Sequence, residues 1–196
     1  MEHVPSRKEL THQRIVETAA RAIRRGGFQG VGVADIMKEA GLTHGGFYAH
    51  FESRDALLAE ALAHAGRESA GRIAQRAGHA APGRSAFRAL VEGYLSDQHL
   101  NSTETGCPVA ALGSEMPRQA PAVREVAAER VRSLVANVRK SLPGGSAQTA
   151  AAVASQLVGA LQLARALGDN TEGKALLKGV RRHLLDQFDT PTADEA

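Results

Sequence analysis

The sequence predicts an all-α protein. Its 196 residues are dominated by Ala, Leu, Val, Arg and Glu, a set rich in good helix formers. No stretch alternates polar and apolar residues with period two over a useful length, as a half-buried strand would. Two short helical patterns meet at Ala40-Gly41-Leu42-Thr43, where Gly41 can take the left-handed conformation that ends a helix. Short helix, glycine-containing turn and second short helix together make a helix-turn-helix unit, whose second helix enters a DNA major groove.

Composition narrows the function. The net charge of +3 is mild, and the pI near 9.3 suits an anionic partner without singling out nucleic acid. A lone cysteine, Cys107, excludes an intramolecular disulfide framework and a Cys-rich zinc site. The first residues are charged and lack an apolar core of the signal-peptide kind. No uninterrupted apolar run approaches the ~18 residues of a membrane span. The expectation is a soluble, cytoplasmic protein without a membrane partner.

Taken in order, Ser6 and Glu9 fit a capping box, and Leu10, Ile15, Ala19, Ala22 and Ile23 follow at helical spacing. Gly26-Gly27 stops this helix and Phe28 returns the chain to the core. Most of Arg14, Arg21, Arg24 and Arg25 are expected on a solvated face. Ile36, Met37 and Ala40 share one face of the second helix, with Thr43 placed to cap the third through its hydroxyl. Of two Tyr and five Phe, Phe28, Phe47, Tyr48 and Phe51 fall in this region. Phe47 and Phe51, at i and i+4, read as core. Tyr48 points about a hundred degrees away from Phe47, so its hydroxyl can meet a phosphate. Gly45 and Gly46 cost roughly 1–2 kcal/mol against alanine in a helix. A helix whose N-terminus must approach DNA has a use for them, because backbone N–H groups can then reach phosphate.

Beyond the head, Leu58, Ala61, Leu62 and Ala65 point inward on a linking helix, and the chain then weakens to a loop at His79–Gly83. Phe87, Leu90, Val91, Tyr94 and Leu95 form an apolar stripe, and Pro108 suits a helix's first turn. Pro117 and Pro121 bracket a loop. Val123, Val126, Val131, Leu134, Val138 and Leu142 mark a long helix, and Leu177, Val180, Leu184 and Phe188 the last one. Between them, residues 147–167 are apolar around much of the circumference, which points to burial against a second copy. The tail from Asp189 is polar and expected to be disordered.

No phosphate-binding glycine loop, paired-His metal motif or nucleophile elbow is present, so no enzyme, cofactor or metal is expected. His64 and Glu68, one turn apart, read as a surface pair.

The run Val33-Ala34-Asp35-Ile36, Ala40-Gly41-Leu42-Thr43-His44-Gly45-Gly46-Phe47-Tyr48-Ala49-His50-Phe51-Glu52-Ser53-Arg54-Asp55-Ala56-Leu57 resembles the N-terminal domain of the TetR/AcrR family of transcriptional regulators, over residues 12–58 without a gap. The resemblance implies an N-terminal three-helix DNA-binding domain, 1–54, and a helical ligand-binding and dimerisation domain, 55–196. It implies phosphate contacts from Thr43, Tyr48, His50 and Arg54, base-edge contacts from His44 and Gly45, and clearance at Gly46. Gly32 stands where the family usually has Ser or Thr touching phosphate, which leaves a backbone contact; His12 replaces a family arginine, and Arg54 a more frequent lysine. The implied function is a ligand-responsive regulator, a repressor in most relatives, that binds an inverted-repeat operator as a homodimer and is released by a small molecule. Apolar stripes and position put that effector near Phe87, Leu90, Tyr94, Cys107 and Leu112. Gly106-Cys107-Pro108 also resembles a subgroup that senses electrophiles or oxidants, which makes control through Cys107 the alternative.

Overall fold

The computed structural model describes residues 4–78 and 84–189, so the expected loop at 79–83 and the tail from 190 lie outside the described residues. Every regular element among the described residues is helical. In order these are α1 (Arg7–Gly26), α2 (Val33–Glu39), a 3-10 recognition turn (His44–Ala49), α3 (Arg54–Gly78), α4 (Ala86–Tyr94), α5 (Asp97–Asn101), α6 (Pro108–Leu112), a second 3-10 turn (Met116–Arg118), α7 (Pro121–Ser141), α8 (Ala147–Leu167) and α9 (Thr171–Phe188).

The chain divides into two compact units. The first holds the residues up to Glu68 together with Glu104–Ala128, and the second holds Ser69–Thr103 and Glu129–Ala196. The first unit thus includes α6, the second 3-10 turn and the start of α7, which the 54/55 division by function assigns to the C-terminal part.

In the first unit the predicted caps and core largely form. Ser6 Oγ accepts from the Glu9 N–H while the Glu9 carboxylate accepts from the Ser6 N–H, a complete capping box. Ile15, Ala19, Ala22, Ile23 and Phe28 are fully buried, but Leu10, 53 % exposed, precedes the buried part of the helix. Gly27 ends α1 at φ +77° and Gly41 turns the chain at φ +70°, both in the left-handed region that only glycine enters cheaply. Gly30 is required for another reason: a Cβ there would lie 2.1 Å from the Gly26 carbonyl oxygen. Leu57, Leu58, Ala61, Leu62 and Ala65 of α3 complete this core.

Arg24 departs from the expected solvated face. It is 3 % exposed, and its guanidinium donates to the Ala20 carbonyl at 2.8 Å, the Gly106 carbonyl at 3.2 Å and the Glu68 carboxylate at 2.7 Å. A charge taken from water needs such partners on every side. Glu68 is therefore an ion-pair partner of α1 as well as a neighbour of His64 on α3.

In the second unit α8 packs along α9, and α4 also meets α9, where Phe87 sets its ring edge-on to Phe188 at 6.1 Å. Ala150, Val153, Leu157, Leu161 and Ala164 bury one face of α8. Arg165 donates to the His99 and Leu100 carbonyls, tying α8 to the end of α5. Helix α8 is long and apolar enough to cross a membrane by length and composition, with a mean hydropathy of 1.3. The long helix expected from Val123 to Leu142 forms as α7, but its apolar residues do not make one buried stripe. Val123 is buried in the first unit and Val138 in the second, while Val131, between them along the helix, is exposed.

Candidate nucleic-acid interface

The candidate interface is the recognition turn with its two flanks. Ile36, Met37 and Ala40 of α2 are buried as expected, and Leu42 N–H donates to the Met37 carbonyl at 2.9 Å to close the turn. Phe47 and Phe51 are buried and their rings stack at 5.6 Å, with His12 laid on Phe51 at 4.5 Å. These rings anchor the recognition turn from below. Tyr48, by contrast, is 74 % exposed, its ring meeting Phe47 edge-on at 5.2 Å. An aromatic residue held at its base and open at its hydroxyl is poised to meet a partner.

His44 and Gly45 at the start of the turn are exposed. A Cβ on Gly45 would meet nothing within 4 Å, and on Gly46 only ordinary contacts with Met37 and Thr43. No part of the protein's own fold therefore demands these two glycines. A surface left bare at a cost in helix stability points outward, to something that must come close.

Thr43 corrects one expectation. Its hydroxyl makes no capping hydrogen bond; the turn starts instead with the Gly46 N–H donating to the Thr43 carbonyl at 3.1 Å. The element is a tight 3-10 turn, so its first internal bond closes three residues back rather than four. Thr43 is exposed, and its hydroxyl stays outside the cap. Gly32 caps α2 in an extended conformation without a side-chain bond, leaving backbone alone at that position.

Arg54 and His50 are more deeply engaged than a simple phosphate contact requires. The Arg54 guanidinium donates to the Phe28 and Val31 carbonyls, so it also closes the loop between α1 and α2. His50 Nδ1 is buried with no hydrogen-bond partner. Burial, then the nearby charges of His12 and Lys8, hold its pKa below the ordinary histidine range, so the neutral ring is favoured. His12, in the place of the family arginine, pairs its Nε2 with Glu60 at 2.7 Å.

Sequence reasoning missed a clamp on the end of α1. The Glu115 carboxylate accepts from the Phe28 N–H at 2.9 Å, beside Gly27, where a Cβ would lie 2.5 Å from its oxygen. Arg25 bridges Glu39 of α2 and Glu104 at 2.8 and 3.2 Å, and Arg24 holds Gly106. The 104–118 segment is thus fastened to the helix-turn-helix head at three points. The Gly26-Gly27 pair signalled a turn, but nothing in the sequence pairs Phe28 with Glu115, residues 87 positions apart.

The proposed effector residues belong to both units. Phe87, Leu90 and Tyr94 are buried in the second unit, and Cys107 and Leu112 are buried in the first. Phe87 and Tyr94 make ring contacts with Phe188 and His99, and Leu90 lines an open cleft. Among the described residues no group of three potential metal ligands occurs.

Residues 15–61 match the family model described as bacterial regulatory proteins, tetR family. The chain is 33 % identical over 190 residues to the uncharacterized HTH-type transcriptional regulator Rv0196 of Mycobacterium tuberculosis, covering 90 % of this chain and 95 % of that one. The chain belongs to the TetR family. Family members are transcriptional regulators with a DNA-binding fold and are not enzymes. The fold agrees along nearly its whole length with solved relatives. Reduced NemR of Escherichia coli matches with a TM-score of 0.77 at 18 % identity, over 93 % of this chain and 99 % of that one. A TetR-family regulator from Agrobacterium tumefaciens matches with a TM-score of 0.75 at 23 % identity, over 92 % and 98 %. The helix-turn-helix geometry described above is therefore the family's DNA-reading head.

Proposed function

We infer that this TetR-family regulator is a cytoplasmic, effector-responsive repressor that binds an inverted-repeat operator as a homodimer. The observation that carries the reading is the recognition turn itself. Its aromatic underside is buried, while His44, Gly45 and Tyr48 are exposed and the glycines serve no internal purpose. Thr43, Tyr48, His50 and Arg54 grip phosphate around it, with Gly32 contributing backbone, while His44 and Gly45 face base edges and Gly46 keeps clearance.

Dimerisation is supported by the outer face of α8 and α9. Gln156, Gly159, Ala160, Leu163, Leu176, Gly179, Val180 and His183 line a shallow, mostly apolar groove there, and Leu163 is 59 % exposed. An apolar face of this kind on a single chain suits burial against a second copy. An effector bound in the helical C-terminal part favours a dimer whose heads are spaced wrongly for DNA, and so releases it. Footprinting on the DNA flanking the protein's own gene tests this reading. Two protected half-sites of an inverted repeat, one or two helical turns apart, are expected; protection of a single half-site by the dimer overturns it.

A second reading is favoured by the clamp. Cys107 directly follows Gly106, whose carbonyl is held by buried Arg24, so a modified thiol would strain a fastening of the head. Here the effector is an oxidant or electrophile acting on Cys107. Its burial restricts reagent access, and alkylation in the folded protein much slower than that of a free thiol rules this reading out.

A further inference from the structure

The second unit contains an open cleft of about 470 Å³, within the range of small-molecule sites. It is lined by Ala70, Gly71 and Ile73 of α3, Ala86 and Leu90 of α4, and Asn137, Lys140 and Ser141 of α7. The α3 and α4 side is wholly apolar. The α7 side is polar, because residues at i, i+3 and i+4 share one helix face. Lys140 is the only charged residue of the lining, and no ion pair to it occurs among the described residues. Glu92 of α4 pairs with Arg84 and Arg88, and Asp189 with Arg88. Ser141 donates its hydroxyl to the Val138 carbonyl, which leaves the Asn137 amide as the second available donor beside Lys140.

From this charge pattern we propose that the cleft takes an amphipathic organic anion, its apolar body on Ala70, Ile73, Ala86 and Leu90 and its carboxylate or equivalent acid group on Lys140 and Asn137. The proposal rests on the effector-responsive reading and names the chemical class of the effector. Lys140 and Asn137 are exposed, so a neutral ligand gains nothing from the hydrated ammonium, and a cationic one would be repelled by it.

Two variants separate the parts of the site. Lys140→Met keeps the stem and removes the charge. Gly71→Leu fills the cleft from α3, where a Cβ enters open space and the residue favours helix. The probes are decanoate, decanol and decyltrimethylammonium, with affinity for the full-length protein read by calorimetry and operator occupancy read separately by anisotropy. Decanoate is expected to bind about tenfold more tightly than decanol, the trimethylammonium compound least. Lys140→Met should erase the difference between decanoate and decanol, and Gly71→Leu should abolish both. Equal binding of decanoate to wild type and Lys140→Met, or undiminished binding to folded Gly71→Leu, overturns the proposal. So does absence of decanoate binding to protein that still binds operator, a result that leaves the regulator reading standing; loss of operator binding in the unliganded protein counts against that reading instead.

Discussion

Single residues in the recognition turn separate stability from function unusually cleanly. Gly45 meets open space, so Gly45→Ala should raise the unfolding free energy by up to about 1 kcal/mol in urea titrations while weakening operator binding. A glycine kept only by chance would gain stability and lose nothing. Tyr48→Ala, at an exposed site, should shift stability by less than about 0.5 kcal/mol yet cost operator affinity about tenfold, without changing the salt slope, since a hydroxyl neutralises no phosphate. Histidine 50 adds a pH signature. Because its pKa is held below the ordinary histidine value, the unfolded chain takes up the proton first as pH falls. Stability should therefore decline below about pH 6.5 and be unaffected by this group above it. Urea titrations at both sides of that value should show a smaller decline in His50→Gln. At this scale the sequence was readable wherever a residue acts on its own backbone: Gly41 in its turn, Ser6 in its box, Tyr48 by its angle from Phe47. It was misleading for Thr43, where a tight 3-10 start displaced the side-chain cap, and for Arg24, whose burial depends on Glu68 and Gly106 far along the chain.

At the scale of elements, periodicity identified α4, α8 and the inward face of α3, because one buried stripe repeats with the helix turn. It also located α7, although the marker residues do not share one buried face: Val123 and Val138 are buried in different units and Val131 between them is exposed. It had no means of finding the clamp, since Glu115, Glu104 and Arg25 look like surface charges until the chain folds. The clamp's strength is testable. Glu115→Ala leaves the Phe28 N–H without its acceptor and should cost about 1–3 kcal/mol by chemical denaturation, with Glu115→Gln restoring most of it through its amide oxygen. If the clamp also sets the resting geometry of the head, Glu115→Ala changes operator affinity beyond what lost stability explains, measured at a temperature where both proteins are fully folded.

For the molecule as a whole, the family assignment fixes the fold and the DNA-binding role, while the proposed dimer, effector and operator contacts rest on particular surfaces. The outer α8–α9 face should fail as an interface when charged: Leu163→Arg leaves the subunit folded, because this side chain is already exposed in the single chain. Sedimentation equilibrium should then report half the wild-type mass, with operator affinity reduced at least tenfold. The most direct test of the central claim, that the recognition turn reads a specific operator, is fluorescence anisotropy on DNA flanking the protein's own gene, against scrambled DNA, from about 50 to 200 mM salt. Binding to the flanking DNA should be tighter throughout and fall linearly in log affinity against log salt, and Tyr48→Ala should weaken it about tenfold. A folded dimer that binds neither DNA at any salt would contradict it.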